Sequence, residues 1–526
     1  MFTRLVRSPT FTRRDCLKTL TAVGVLTSAV PTFGARNRAV RSFHVCLSPA
    51  VVESDPDLLT VVRNAGVRTV WLVGFLYGSP FSDDLLRRAR ARVERAGLEA
   101  QVLNVPLGHP GSSSGPAKKV DGTSFSGTSL HPPATTESAE VLRVQREIGF
   151  RQCFLDDDFR LARSPGEIGG CFCDVHRDRF LHAGGYAAGH WEELCDDVRS
   201  RRLSPLLRAW LTFTCDELAA SFRIQQRAFG RGLGIMVMYL GAEKAGIRLR
   251  DYRNMPFRVG ELMFDDRSFA PIKGKTDELF SVLFHRRFVG PERAFSETTA
   301  APHDRLNATN MAAKLIISTI ADVRQTMFMS GLIPFPREHW DVLGPAMRQQ
   351  AQMHAELAGH YPRGPFKQFW GEAQRWVGDD QPFSLWLAAG VPFELIESPV
   401  QTGWTFLSDF DARELATRPD PTASQFVCRP TAAIHPPGAE IVGETLTELF
   451  AFKNRVRDKL RDVPHVVEDE PAVCAWYPTA RKVLVWNLSE QPRTLTVVLG
   501  PQRRTMQLGP LAAAITEVPA KTRPAS

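Results

Sequence analysis

The sequence predicts a (β/α)₈ TIM barrel followed by a small α/β domain and a small antiparallel β domain. Its 526 residues exceed the size at which a single core stops growing, so two or three domains are expected. From Phe43 to about Gly331, short apolar runs alternate with segments of helical spacing, which favours parallel strands joined by right-handed crossovers. Eight such units over about 300 residues are typical of a barrel.

The eight strands follow one another at regular intervals. They are predicted at 43–47, 67–75, 98–105, 149–155, 232–239, 257–264, 292–297 and 324–330. The segments between them, such as 83–97, place apolar residues three and four apart, as amphipathic helices do. An open doubly wound sheet is the alternative, but no glycine-rich phosphate-binding turn follows the first strand.

The N-terminal 35 residues are predicted to be an export signal. Residues 12–18, TRRDCLK, are similar to the twin-arginine signal, with Cys16 where a Phe is usual. The apolar run at 20–30 is too short to span a membrane and ends in small residues, so cleavage is expected between Ala29 and Ala35. This predicts a periplasmic or extracellular protein; the alternative is a chance arginine pair before an apolar helix.

The charge distribution argues against a nucleic-acid partner. The formal net charge is +8, and the signal segment contributes five basic residues against one acidic residue. The sequence has no basic stripe interleaved with aromatic residues, as nucleic-acid binding would require. No stretch after the signal is long and apolar enough to cross a membrane.

The composition changes along the chain and predicts the domain boundaries. We expect the barrel over 36–350, an α/β domain over 351–462 and a β domain over 463–526. In the last segment, apolar and polar residues alternate between turn residues. Residues 108–136 are rich in Gly, Ser and Pro and predict a long loop after the third strand, as a lid or as an insert without a role.

Carboxylates stand at the predicted ends of three barrel strands. Asp156, Asp157 and Asp158 end the fourth strand, Asp265 ends the sixth, and Glu297 ends the seventh. Active sites of these barrels lie at the carboxyl ends of strands. Two opposed carboxyls are the machinery of glycoside hydrolysis, and a row of aspartates would raise the pKa of the proton donor. The aspartates could instead cap a helix or bind a divalent cation.

A possible metal site follows the fourth strand. Cys171, Cys173 and His176 are three zinc-type ligands within six residues, and such a metal would be structural because the loop lies beyond the strand end. The alternative is two half-buried thiols near a surface histidine. No fourth ligand is evident from spacing, and Cys195 is a poor candidate.

Several aromatic residues are candidates for stacking on a sugar ring. They are Trp71 in the second strand, Tyr239 after the fifth, and the pair His339 and Trp340 beyond the eighth, with Asp265 as a polar contact. Sugar sites combine flat apolar faces with a few polar groups. Each tryptophan could equally belong to the core.

The acidic end of the fourth strand, the Cys-x-Cys-x-x-His loop and the domain order resemble the glycoside hydrolase family 42 β-galactosidases, retaining barrel enzymes of clan GH-A. The resemblance implies that Asp157 stands in the place of the family's Asn, Asp158 in that of the acid/base Glu, and Glu297 in that of the nucleophile. It implies zinc with His176 in the place of a third Cys. It further implies a flavodoxin-like trimerisation domain over 351–462 and hence a homo-oligomer.

These observations predict an exported glycoside hydrolase that acts on an oligo- or polysaccharide, by retention, and needs no cofactor for catalysis. One alternative is a metal-dependent sugar isomerase or epimerase, in which the aspartates, Glu261, Asp265 and Glu297 gather a divalent cation. Another is a non-catalytic carbohydrate-binding barrel.

Overall fold

The structure is a computed structural model. It describes residues 41–76, 78–105, 115–125, 128–156, 159–162, 164, 166–237, 240–260, 263–417 and 425–519. The predicted export signal lies outside the described residues. From residue 40 onward the chain forms one unit. Among the described helices, none has the length and apolarity needed to span a bilayer.

Eight parallel strands close into a barrel, as predicted. They are β1 (Ser42–Leu47), β2 (Thr69–Leu76), β3 (Glu99–Asn104), β4 (Cys153–Leu155), β5 (Leu233–Met236), β6 (Phe257–Arg258), β7 (Ala294–Thr299) and β8 (Gln325–Met329). Each strand pairs with the next, and β1 pairs with both β2 and β8, so that the sheet closes. A two-residue strand, Ser79–Pro80, pairs in antiparallel orientation with the end of β2.

Helices connect the barrel strands, and most of them cover the outer face of the barrel. They are α1 (Pro49–Ser54), α2 (Asp57–Ala65), α3 (Asp83–Arg95), α4 (Pro132–Ile148), α5 (Asp174–Gly184), α6 (His190–Ser200), α7 (Pro205–Phe229), α8 (Asp266–Phe269), α9 (Ile272–Arg286), α10 (Ala308–Ile320) and α11 (His339–Leu357). Local sequence explains their ends: the Ser82 side chain caps α3, and two aspartates occupy its first turn, where the helix dipole favours negative charge.

Side-chain alternation along the strands separates two cores. Trp71, Phe154, Phe295 and Met327 face the barrel axis and pack on one another. Their sequence neighbours, such as Leu155, point outward to the helices. The barrel interior is therefore filled with side chains, and a ligand site must lie above this layer, at the strand ends.

The sixth strand differs from its prediction. It ends at Arg258 instead of continuing to residue 264. The Val259 amide still donates to the Phe295 carbonyl over 2.7 Å, and the chain then leaves the sheet. Asp265 begins the short helix α8 through a capping box with Ser268, so this aspartate is a helix cap and not a strand-end group.

A second sheet follows the barrel. Its parallel strands are β9 (Phe366–Phe369), β10 (Phe393–Ile396), β11 (Trp404–Leu407), β12 (Gln425–Cys428) and β13 (Glu440–Ile441), with helices α12 (Glu372–Val377), α13 (Asp409–Ala416) and α14 (Leu446–Val456). Their spatial order is β10-β9-β11-β12-β13. This is the 2-1-3-4-5 order found in flavodoxin. We call residues 363–460 the middle segment; the predicted boundary at 350/351 falls within α11.

The last part of the described chain is antiparallel. It contains β14 (His465–Val466), β15 (Ala472–Tyr477), β16 (Lys482–Asn487), β17 (Arg493–Leu499), β18 (Gln502–Leu508) and β19 (Ala513–Glu517). These strands form two three-stranded sheets, β14-β17-β18 and β15-β16-β19. The alternation of apolar and polar residues in the sequence matches these half-buried strands.

Candidate active site at the carboxyl end of the barrel

A buried arginine joins two of the predicted carboxylates. Arg258 Nη1 lies 3.0 Å from Asp156 Oδ1, and its Nη2 lies 2.6 Å from Glu297 Oε2. The side chains of all three residues are at most 5% exposed. One guanidinium thus bridges two carboxylates from opposite parts of the barrel, Asp156 directly after β4 and Glu297 in β7.

The strand period explains why these side chains meet. Phe154 and Phe295 face the barrel axis, so the residues two positions further, Asp156 and Glu297, face it one layer higher. Arg258 pairs with Phe295 in the sheet register, and its side chain extends from β6 toward this upper layer. Its guanidinium also lies 5.6 Å from the centre of the Phe154 ring. The three charged groups therefore rest on the aromatic core of the barrel.

The electrostatics of this cluster favour the charged arginine. Burial by itself would lower the pKa of Arg258, but the charges of Glu297 and Asp156 outweigh it and raise that pKa above its usual value. Burial raises the pKa of the neighbouring Cys46 thiol to about 12, so this thiol is neutral and inert. The Thr299 hydroxyl donates to Glu297 Oε1. Both oxygens of Glu297 are therefore held in place.

Four candidate residues of the predicted site fall outside the described residues. They are Asp157, Asp158, Tyr239 and Glu261. Asp156 directly follows β4 and directly precedes Asp157 and Asp158 in the sequence. Its amide donates to the Asn104 carbonyl over 2.8 Å, which extends the ladder between β3 and β4.

The structure places the two predicted sugar-stacking tryptophans in the core. Trp71 is 0% exposed inside the barrel, and its Nε1 donates to His44 Nδ1 over 3.2 Å. Trp340 is 4% exposed and contacts Phe328, which faces outward from β8. Both rings are buried and closed to a ligand, so they belong to the core and do not stack on a sugar here.

His339 and Asp265 are partly accessible but already have partners. A nitrogen of His339, Nε2, lies 3.2 Å from the Leu306 carbonyl oxygen, and its ring stacks on Phe335. Asp265 accepts hydrogen bonds from the Ser268 amide and hydroxyl, and these bonds lower its pKa. A substrate contact from Asp265 would compete with its role as a helix cap.

The structure brings a fourth candidate ligand, His131, to the predicted metal loop. His131, Cys171, Cys173 and His176 present donor atoms that all lie within 4.8 Å of one another. Cys171 Sγ lies 3.8 Å from His131 Nε2, and Cys173 Sγ lies 3.1 Å from His176 Nδ1. These separations suit the edges of a tetrahedral zinc shell, and a Cys₂His₂ donor set is a zinc set. His176 Nε2 is also buried without a hydrogen-bond partner.

The sequence patterns did not connect Arg258 to the acidic residues or His131 to the two cysteines. An arginine within the apolar stretch at 257–264 was a usable signal, because a charge inside a barrel strand requires a buried partner. His131 precedes the Pro132–Ile148 helix, 40 residues before Cys171. Its spacing gave no reason to join it to the cysteines.

Comparison with solved structures relates this fold to glycoside hydrolases. A catalytic mutant of Gan42B, a GH42 β-galactosidase from G. stearothermophilus, is similar with a TM-score of 0.58 and 9% identity, over 91% of this chain and 98% of that chain. α-L-Fucosidase isoenzyme 2 from Paenibacillus thiaminolyticus gives 0.46 and 10%, over 75% and 65%. A GH27 β-L-arabinopyranosidase from Geobacillus stearothermophilus gives 0.38 and 8%, over 94% and 100%.

No family model and no curated protein matches the chain. At 9% identity, the likeness to the GH42 structure shows a shared fold alone. That likeness extends beyond the barrel, since it covers nearly all of both chains. The chain therefore shares with that structure a fold that includes the TIM barrel and the segments after it.

Proposed function

We propose that the protein is an exported glycoside hydrolase that uses Glu297 as nucleophile and Asp158 as acid/base. The observation that carries the proposal is the ion triad: Arg258 bridges Glu297 to Asp156, the first residue of the aspartate row. Carboxylates from β4 and β7 thus converge at one end of the barrel. The shared fold with a GH42 β-galactosidase supports the same assignment.

In this mechanism the glycosidic bond is cleaved in two displacements. Asp158 donates its proton to the leaving oxygen while Glu297 attacks the anomeric carbon and forms a glycosyl ester. Asp158 then takes a proton from water, whose oxygen attacks the same carbon and releases Glu297. Arg258 and Thr299 orient the nucleophile, since each binds one of its oxygens. Asp157 is the alternative proton donor; the third aspartate of the row, Asp156, is less suited to this role because it is ion-paired to Arg258.

The triad disfavours the sugar isomerase alternative. A divalent cation shared by the aspartate row and Glu297 would need their oxygens as ligands. Arg258 Nη1 and Nη2 already occupy the space between Asp156 and Glu297. Asp265, another ligand in that alternative, caps α8.

The finer predictions from the resemblance to family 42 are also part of this proposal. We propose that His131, Cys171, Cys173 and His176 hold a zinc ion, which would supply a structural cross-link between the loops after β3 and β4. Catalysis itself requires no cofactor. We further propose that the middle segment mediates assembly into a homo-oligomer and that residues 1–35 direct export.

The test is a screen of chromogenic glycosides and of plant and algal oligosaccharides with the parent protein and Glu297→Gln. The matched control is Glu292→Gln, an exposed glutamate at the opposite end of β7. We expect an active parent, an active Glu292→Gln and a silent Glu297→Gln. Equal rates in all three would refute the role of Glu297. Sugar binding without hydrolysis by the parent would instead indicate a binding protein.

A further inference from the structure

A carboxylate of the middle segment fastens the barrel loop that follows β5. Asp380 Oδ2 accepts from the Leu240 amide over 2.9 Å, and Oδ1 accepts from the Gly241 amide over 3.1 Å. Lys244 Nζ lies 3.0 Å from the same Oδ1 and also donates to the Gly378 carbonyl. Two backbone amides and one ammonium of this loop, residues 240–246, thus converge on a single side chain.

The contact is buried and closely packed. The side chains of Lys244 and Asp380 are 1% and 4% exposed. A Cβ atom on Gly241 would lie 2.6 Å from the Arg375 carbonyl oxygen, so the loop approaches the middle segment more closely than another residue would permit. Arg375 also forms an ion pair with Glu243. Separating Lys244 from Asp380 would leave a buried charge without a partner, which is costly, so the two segments are held together at this contact.

The loop after β5 in turn supports the loop after β4. The Leu161 amide donates to the Ala245 carbonyl over 2.8 Å, and the Gly169 amide donates to the Lys244 carbonyl over 2.7 Å. The loop that contains Leu161 and Gly169 begins at Asp156, where the aspartate row begins. These hydrogen bonds therefore connect Asp380, through residues 240–246, to Leu161 and Gly169 in the loop that follows Asp156.

We propose that Asp380 is a positioning residue of the active site, and that the middle segment thereby sets the geometry of the barrel mouth. This inference rests on the proposed hydrolase function, since it acts through the aspartate row. It assigns the middle segment a second role besides assembly. A displacement of about 1 Å at a reacting group can cost 10²-fold in rate, so loss of this anchor affects turnover more than substrate binding.

The experiment compares a double variant, Asp380→Asn with Lys244→Met, to the parent. Changing both partners avoids an unpaired buried charge, so the fold is retained. The control is Asp379→Asn, because the hydrogen bonds that its carboxylate accepts from described residues come from Gln374 and Gln381, close to it in sequence. The measurements are hydrogen exchange of peptides covering 159–171 and 240–246, the melting temperature, and kcat and KM on the best glycoside from the screen.

We expect faster exchange in both peptides, a melting temperature within about 5 °C of the parent, and a fall in kcat of about 100-fold with KM changed by less than about threefold. The control should match the parent. Unchanged exchange at 240–246, or unchanged kcat with faster exchange, would overturn the positioning role. If the double variant does not fold, Asp380→Asn alone takes its place with the same readouts. If the parent has no glycosidase activity, the hydrolase assignment is wrong. Faster exchange in the double variant would then still show that Asp380 holds residues 240–246 in place.

Discussion

Replacement of Arg258 by methionine tests the ion triad directly. Arg258→Met keeps most of the apolar stem and removes the guanidinium that lies 3.0 Å from Asp156 and 2.6 Å from Glu297. Two buried carboxylates then face each other without a counter-charge. Breaking a buried ion pair in this way costs about 3–5 kcal/mol of unfolding free energy at neutral pH.

The loss of stability caused by Arg258→Met should increase as the pH rises. Once the guanidinium is gone, one carboxyl of the folded variant takes up a proton that the unfolded chain releases near its ordinary pKa. Stability of the variant is therefore highest in acid and falls as the pH rises, because the unfolded state binds fewer protons than the folded state. The parent keeps the guanidinium between the two carboxylates, so the variant should show the steeper slope.

Urea unfolding followed by tryptophan fluorescence at about pH 5 and about pH 8 measures this difference. The control is Arg286→Met, a buried arginine with side-chain exposure of 5% that pairs with Asp322 on the outer side of the barrel. Arg258→Met should also lose glycosidase activity at least about 100-fold, whereas the control keeps it. An equal destabilisation of Arg258→Met at both pH values would refute the reasoning.

Three further substitutions test other parts of the structure. Burial raises the pKa of Asp411 to about 7, so the folded protein holds a proton there at pH values below about 7. The contribution of Asp411 to the free energy of unfolding is full below about pH 4 and falls by up to about 4 kcal/mol toward pH 7. Asp411→Asn should remove this dependence on pH in urea unfolding. His131→Ala should abolish bound zinc measured by mass spectrometry of the purified protein, whereas His182→Ala, exposed on α5, should retain it. Trp71→Ala should cost about 3–5 kcal/mol of stability, since the ring is fully buried; a loss under about 1 kcal/mol would contradict its place in the core.

The barrel could be predicted because its signal is periodic. Eight apolar runs separated by helical segments define parallel strands, and alternation within each strand determines which side chains face the axis. Glu297 lies two residues after the inward-facing Phe295, so its direction follows from the strand period alone. The same rule assigns Trp71 to the barrel interior. For this residue, the strand alternation predicted the position correctly, whereas its aromatic ring had suggested a sugar contact.

Other parts of the site depend on contacts between distant residues. The two acidic partners of Arg258 come from β4 and β7, and no local pattern connects them. The fourth zinc-type ligand, His131, belongs to the loop before α4, and the remaining three belong to the loop before α5 and its first turn. The sixth strand was predicted too long: it ends at Arg258, and Asp265 instead begins α8 through a capping box.

The central claim is that Glu297 attacks the anomeric carbon. An activated 2-deoxy-2-fluoro glycoside of the preferred sugar should trap the glycosyl ester, and mass spectrometry of the digested protein locates it. We predict one sugar per chain on the peptide that contains Glu297, and no label on Glu297→Gln. A label on another residue, or turnover with inversion and no trapped ester, would contradict this account.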